Sequence, residues 1–93
     1  MKRLNPEILY AMPNQGCIRT MYETLVRKLG APHQMDGDPY AAVWWYELED
    51  GTPFSILTYA SKLPYDLHDW MVCTLSYQDY KLVREFFGLE PVE

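Results

Sequence analysis

Residues 43–59 read VWWYELEDGTPFSILTY, and residues 70–75 read WMVCTL. Asp50-Gly51 lies between two runs rich in β-branched and aromatic residues, which is the strongest short-range signal for a β-hairpin. A type I′ turn needs positive φ at both central residues, and Asp-Gly meets this need at little steric cost. With a third strand over residues 70–75, the pattern predicts a three-stranded antiparallel meander at the centre of the chain.

The predicted strands are apolar on both of their faces. Because successive side chains of a strand alternate, Trp44, Tyr46 and Leu48 point to one face while Val43 and Trp45 point to the other. One face can cover a core, whereas the second needs a cover or a partner. We therefore expect the second sheet face to stay at least partly open and to carry large aromatic side chains.

Helical periodicity appears before and after the meander. The first amphipathic helix is predicted over residues 17–29, with Gly30 as its end. Its apolar stripe consists of Ile18, Met21, Tyr22, Leu25, Val26 and Leu29. A short helical turn over residues 5–10 precedes it, because Asn5-Pro6-Glu7 has the order of an N-cap, a first-turn proline and an acid.

The last helix is predicted to begin near Tyr77, with Ser76 as its N-cap and Gly88 just beyond its C-terminus. Leu82, Val83 and Phe86 form its predicted core stripe. The element order is then α-β-β-β-α. This order predicts an α+β two-layer sandwich, in which both helices cover one face of the three-stranded antiparallel meander.

Length and composition restrict the class of protein. Ninety-three residues are expected to form a single domain, residues 1–93. Cys17 and Cys73 lack metal-ligand spacing and are expected to be reduced thiols of a cytoplasmic protein. No run of about 18 apolar residues is present, and residues 5–7 interrupt the apolar region that a signal peptide needs, so we expect neither a membrane segment nor secretion.

Catalytic and metal-binding patterns are weak. Only Cys17, His33 and His68 could form a thiol-imidazole dyad, and no nucleophile motif surrounds Cys17. Residues 36–47 have the length of a calcium loop, but Tyr40 and Ala41 occupy the positions where an oxygen ligand and a glycine are expected. We therefore expect no metal, no cofactor and no enzymatic activity.

Acidic residues are concentrated in the centre of the chain. The segment from residue 36 to residue 69 contains seven acids and one base, Lys62, and the whole chain carries a formal charge of −5. Such a surface repels the phosphates of a nucleic acid and suits a basic surface of a protein target, so we expect no direct nucleic-acid binding. The partner-binding residues predicted from this pattern are Trp44, Trp45, Tyr46, Glu47, Glu49, Asp50 and Tyr59.

Residues 45–56, WYELEDGTPFSI, followed by Tyr59 and by Trp70-Met71-Val72, resemble a pattern in small acidic proteins encoded by bacteriophages. The resemblance covers residues 44–87. It implies an inhibitor of a host enzyme or of a defence system, as anti-CRISPR proteins are, working in the host cytoplasm. It identifies no functional residue.

The sequence therefore favours a non-enzymatic interaction protein that docks through the acidic, aromatic surface of the meander. A second hypothesis is a small-ligand-binding protein or sequestering oligomer with an aromatic pocket between subunits. A third is a thiol enzyme that uses Cys17 or Cys73. A homodimer formed through the open sheet face is compatible with the first two hypotheses.

Overall fold

The computed structural model describes the backbone of residues 2–3 and all of residues 11–35, 41–59 and 62–89. These residues form an antiparallel sheet and two helices, so the predicted α+β class is confirmed. In chain order the elements are β1 (Lys2–Arg3), β2 (Asn14–Thr20), α1 (Tyr22–Leu29), β3 (Gln34–Met35), β4 (Ala42–Glu47), β5 (Pro53–Thr58), β6 (His68–Thr74) and α2 (Tyr77–Phe86). The helical turn predicted over residues 5–10 lies outside the described residues.

The predicted meander is the centre of a wider sheet. Strands β4, β5 and β6 pair in sequence order, and the full strand order is β1-β4-β5-β6-β2. Strand β2 pairs with the outer edge of β6, while the short strands β1 and β3 pair with different parts of β4. The predicted three-stranded meander is therefore present as β4-β5-β6, but the prediction missed the strands that flank it on both sides.

The segment from residue 14 to residue 20 is a strand, and its predicted assignment in part to the first helix was wrong. Ile18 is buried there between Cys17 and Arg19, which are both exposed, as the two-residue period of a strand requires. Opposite it in β6 lies Trp70. Ile18 fits both a helical and a strand period, and pairing with β6 selects the strand.

The C-terminus of α1 and both ends of α2 lie at the capping residues that the sequence predicts. Helix α1 begins at Tyr22 and ends at Gly30, whose φ is 84° and whose N–H donates to the Val26 carbonyl. At α2, the Ser76 hydroxyl accepts a hydrogen bond of 3.2 Å from the Asp79 N–H, as predicted. Gly88 has a φ of 70°, and the N–H groups of Gly88 and Leu89 donate to the carbonyls of Glu85 and Arg84, which is a Schellman motif.

In the β4–β5 hairpin, Leu48 and Thr52 extend the strand pairing by one hydrogen bond, and the turn between them has three residues, 49–51. The Leu48 N–H donates to the Thr52 carbonyl, and the Gly51 N–H donates to the Leu48 carbonyl. Gly51 has a φ of 90° and closes the turn. The predicted two-residue type I′ turn is therefore replaced by a longer one in which Gly51 follows a tight turn, a common alternative for hairpins.

Both helices lie on the same face of the sheet. Leu25 and Leu29 of α1 and Tyr80 and Val83 of α2 pack on the side chains of four strands, forming one main core. The strand residues of this core are Ile18, Ala42, Trp44, Phe54, Ile56, Trp70 and Val72. Trp44 and Trp70 are its largest side chains, with ring centroids 5.6 Å apart in an edge-to-face arrangement.

The opposite face of the sheet, here called the second face, carries a smaller cluster formed by Val43, Trp45 and Leu57. All three are buried, and the His33 ring stacks on Trp45 at a centroid distance of 4.3 Å. The second face is therefore more covered than the sequence predicts. Its accessible part lies toward β6 and Tyr59, where Met71 and Cys73 are half-buried.

Candidate functional site

Helix α2 carries two apolar stripes, and only one of them reaches the core. Tyr80 and Val83 are buried and Phe87 packs beside them, whereas Leu82 and Phe86 are 37% and 36% exposed. The predicted core stripe was therefore wrong for Leu82 and Phe86. The two stripes lie about 110° apart around the helix axis, so the helix cannot bury both against one sheet.

A groove lies between this exposed stripe and the β4–β5 turn. Its volume is 630 Å³, and it is lined by Leu48, Glu49, Asp50, Leu82, Glu85 and Phe86. We call these six residues the turn–helix groove. Three of its side chains are apolar and three are carboxylic acids, with no lysine or arginine among them, so the groove combines an apolar surface with a negative rim.

The Asp50 carboxylate also shapes the turn that borders the groove. Its Oδ1 accepts a hydrogen bond of 2.9 Å from the Thr52 N–H. Hydrogen bonds from the Thr52 side chain and backbone lower the pKa of the Asp50 carboxyl. The carboxylate consequently stays ionised over a wider pH range and keeps the groove rim negative.

Two of the predicted anchors are used inside the protein. Trp44 is fully buried, and its indole N–H donates to the Gly30 carbonyl at 2.9 Å. The hydroxyl of half-buried Tyr46 donates to the Leu29 carbonyl at 2.7 Å. Because the last carbonyls of a helix have no partner within it, these two bonds fasten the C-terminus of α1 to β4.

The other predicted site residues are distributed over several surfaces. Trp45 is buried on the second face under His33, and Glu47 is half-buried at the end of β4. Tyr59 is 55% exposed and lies on the side of the second face, away from the turn–helix groove. Of the seven residues, the structure therefore brings only Glu49 and Asp50 into the groove.

Four groove residues were not indicated as a site by the sequence: Leu48 and, in α2, Leu82, Glu85 and Phe86. The sequence signal that could have revealed the α2 residues is the excess of apolar residues in α2 over what a single stripe needs. Nothing in the local sequence shows, however, which stripe faces the sheet. That choice depends on contacts of Tyr80 with β2, more than 60 residues earlier in the chain.

The histidine candidates for a thiol-imidazole dyad each have a hydrogen-bond partner other than a cysteine. The His33 Nδ1 accepts a hydrogen bond from the Trp45 backbone N–H at 3.1 Å, while the His68 Nε2 lies 2.8 Å from the Thr58 hydroxyl. Partial burial and, to a lesser extent, the nearby Asp69 carboxylate raise the pKa of the Cys17 thiol. Activated nucleophilic thiols have the opposite shift.

We expect the two thiols to react with iodoacetamide at different rates. Burial raises the pKa of both thiols, and the difference between them is their exposure, since Cys17 is exposed whereas Cys73 is half-buried. Cys17 should be alkylated first, and Cys73 about tenfold more slowly. Peptide mass spectrometry over time at pH 8 measures both rates, and a Cys17→Ser control should retain only the slow reaction. Equal rates, or a faster Cys73, would contradict this expectation.

The described part of the chain contains no group of three or more His, Cys, Asp or Glu side chains placed to hold a metal ion. Residues 36–40, which belong to the calcium-loop pattern, are not among the described residues. No described helix has the length and apolar character that crossing a membrane requires.

Comparison of the chain with protein-family models, with curated proteins and with solved structures gives no match. Its function must therefore be argued from its own residues.

Proposed function

We propose that this protein is a non-enzymatic interaction module whose turn–helix groove binds a basic, amphipathic segment of a protein target. The observation that carries the proposal is the exposure of Leu82 and Phe86 directly beside three carboxylic acids. In the inhibitor form suggested by its resemblance to bacteriophage proteins, the module would block its target by occupying the surface that this segment belongs to.

The chemistry of the groove defines the partner segment. Apolar side chains of the partner would pack on Leu48, Leu82 and Phe86, since burying large apolar side chains supplies most of the free energy of a protein interface. Lysine or arginine residues on either side would face Glu49, Asp50 and Glu85. Such rim charges mainly raise the association rate and exclude acidic partners.

The absence of basic residues from the groove lining also separates this partner from a nucleic acid. A phosphate backbone would face three carboxylates in the lining, and the one lysine beside Phe86, Lys28, whose Nζ lies 5.3 Å from the ring centroid, offsets at most one of them. A basic protein segment with an apolar centre can pack on the apolar residues of the groove and pair with its acidic rim. A nucleic acid backbone can do neither.

Charge reversal at the groove rim should weaken target binding about tenfold. The test variant is Glu49→Lys/Glu85→Lys, which leaves Asp50 in place because Asp50 supports the turn through Thr52. The control variant is Glu23→Lys/Asp66→Lys, which changes the net charge equally at exposed acids outside the groove. Each lost attraction is worth about 0.2–1 kcal/mol and becomes a repulsion, so about tenfold weaker binding is expected for the test variant.

The measurement is affinity capture from a lysate of cells that express the wild-type protein, followed by titration of the captured target with each variant. Leu82→Ala/Phe86→Ala should weaken binding by at least as much as the charge reversal, because it removes the apolar anchors. The proposal would be wrong if the groove and control variants bound the target equally well. It would also be wrong if the wild type retained no protein beyond that held by the bare resin.

A further inference from the structure

A separate recess lies on the second face of the sheet, away from the turn–helix groove. Its volume is 210 Å³, and Met12, Val43, Leu57 and Met71 supply most of its apolar lining. Ser55 and Tyr59 are among its polar residues, and no lysine, arginine, aspartate or glutamate lines it. We call this feature the second-face recess.

The Ser55 hydroxyl is the unusual group of the second-face recess. Ser55 is 1% exposed and lies in the central strand β5, yet its Oγ has no hydrogen-bond partner among the residues that the structure describes. Buried hydroxyl groups are nearly always hydrogen-bonded in folded proteins, because leaving one without a partner costs the full free energy of its desolvation. An alanine at this position would avoid this cost, because it has no hydroxyl to desolvate.

A second group without a partner lies next to Ser55 on the same face. Trp45 is opposite Ser55 in the β4–β5 pairing, and its indole N–H also has no acceptor among the described residues. On the other side of Ser55, the residue opposite in β6 is Cys73, which lines the recess. The recess therefore borders on two adjacent polar groups, the Ser55 hydroxyl and the Trp45 indole N–H, that have no hydrogen-bond partner among the described residues.

We infer that the second-face recess binds a small, uncharged and mainly apolar molecule that carries one hydroxyl or carbonyl group directed at the Ser55 Oγ. The size follows from the volume, since an apolar cavity of about 150 Å³ is sufficient for benzene. The lack of charge follows from the lining, which contains no ionisable partner for a charged ligand apart from the weakly acidic groups of Tyr59 and Cys73. This inference does not depend on the function proposed for the turn–helix groove.

Phenol and benzene are suitable probes because they differ only in the hydroxyl group. With the methionine methyl groups labelled with ¹³C, either probe should shift the signals of Met12 and Met71, which line the recess. The signals of Met21 and Met35 serve as internal controls, since neither residue lines it. We expect a dissociation constant on the order of 1 mM for phenol and about three- to tenfold weaker binding of benzene, the difference being one hydrogen bond.

The variant Ser55→Ala tests the role of the hydroxyl. It should bind benzene as the wild type does and should reduce the affinity for phenol to that for benzene. Because the substitution removes a buried group without a partner, the melting temperature of the unliganded variant should rise by a few degrees.

Three outcomes would overturn the inference. The first is the absence of selective Met12 and Met71 shifts with phenol. The second is equal affinity of the wild type for the two probes. The third is a fall in the melting temperature of Ser55→Ala, which would mean that the hydroxyl has a partner within the folded protein.

Discussion

Replacing Trp44 with alanine is expected to lower the free energy of unfolding by about 3–5 kcal/mol. The side chain is fully buried at the centre of the main core, where its ring contacts Trp70 and Tyr22. Its removal would leave a large cavity and would also leave the Gly30 carbonyl without the indole N–H that it accepts. Since a chain of this length has a total stability of roughly 5–14 kcal/mol, the variant should lose a large part of its stability.

Urea unfolding followed by tryptophan fluorescence and circular dichroism measures this effect. Trp44→Phe is the matched control, because it retains most of the ring volume and loses mainly the hydrogen bond to Gly30. It should lower the free energy of unfolding by about 1–3 kcal/mol. Tyr46→Phe removes only the bond to the Leu29 carbonyl and should cost about 1 kcal/mol. A Trp44→Ala loss no greater than the Tyr46→Phe loss would show that Trp44 is not a core residue.

The roles of Trp44 and Tyr46 illustrate what the local sequence can and cannot predict. Their alternation with Val43 and Trp45 assigned each side chain to the correct sheet face, because the two-residue period of a strand is a local property. Whether a sheet face is covered, by contrast, depends on elements that are distant in the sequence. The sequence therefore predicted aromatic docking anchors where the fold uses buried Trp44 and half-buried Tyr46 to hold the end of α1.

The same distinction explains which elements were predicted. The position of the hairpin at Gly51 and the limits of α2 depend on turn and capping residues within a few positions of the feature. Both agree with the structure, although the turn type does not. Strand β2 depends on pairing with β6, about 50 residues later, and local periodicity at Ile18 could not decide between strand and helix. In the turn–helix groove, Glu49 and Asp50 were predicted from the turn, whereas Leu82, Glu85 and Phe86 required knowledge of how α2 packs.

Replacing Gly16 with alanine is expected to destabilise the protein by about 2–4 kcal/mol. A Cβ atom at this position would lie 2.7 Å from both the Cζ and the Oη of Tyr80, a distance that packed carbon atoms do not reach. Tyr80 cannot easily move, because it is buried and its hydroxyl donates to the Cys17 carbonyl at 2.6 Å. The cost combines overpacking, about 1–3 kcal/mol, with the loss or weakening of that hydrogen bond, about 1 kcal/mol.

A double-mutant cycle with Tyr80→Leu separates steric conflict from any general effect of alanine in β2. Leucine lacks the atoms that the new Cβ would meet, so Gly16→Ala should cost at least 1 kcal/mol less in the Tyr80→Leu background than in the wild type. Denaturant unfolding of the four proteins gives this coupling energy, with an unchanged slope confirming comparable unfolded states. Additive effects would mean that Tyr80 does not press on Gly16, and α2 would then be held on β2 by contacts other than this one. A coupling energy of at least about 1 kcal/mol would instead show that Tyr80 packs directly against Gly16, a contact that holds the Tyr80 stripe of α2 on β2.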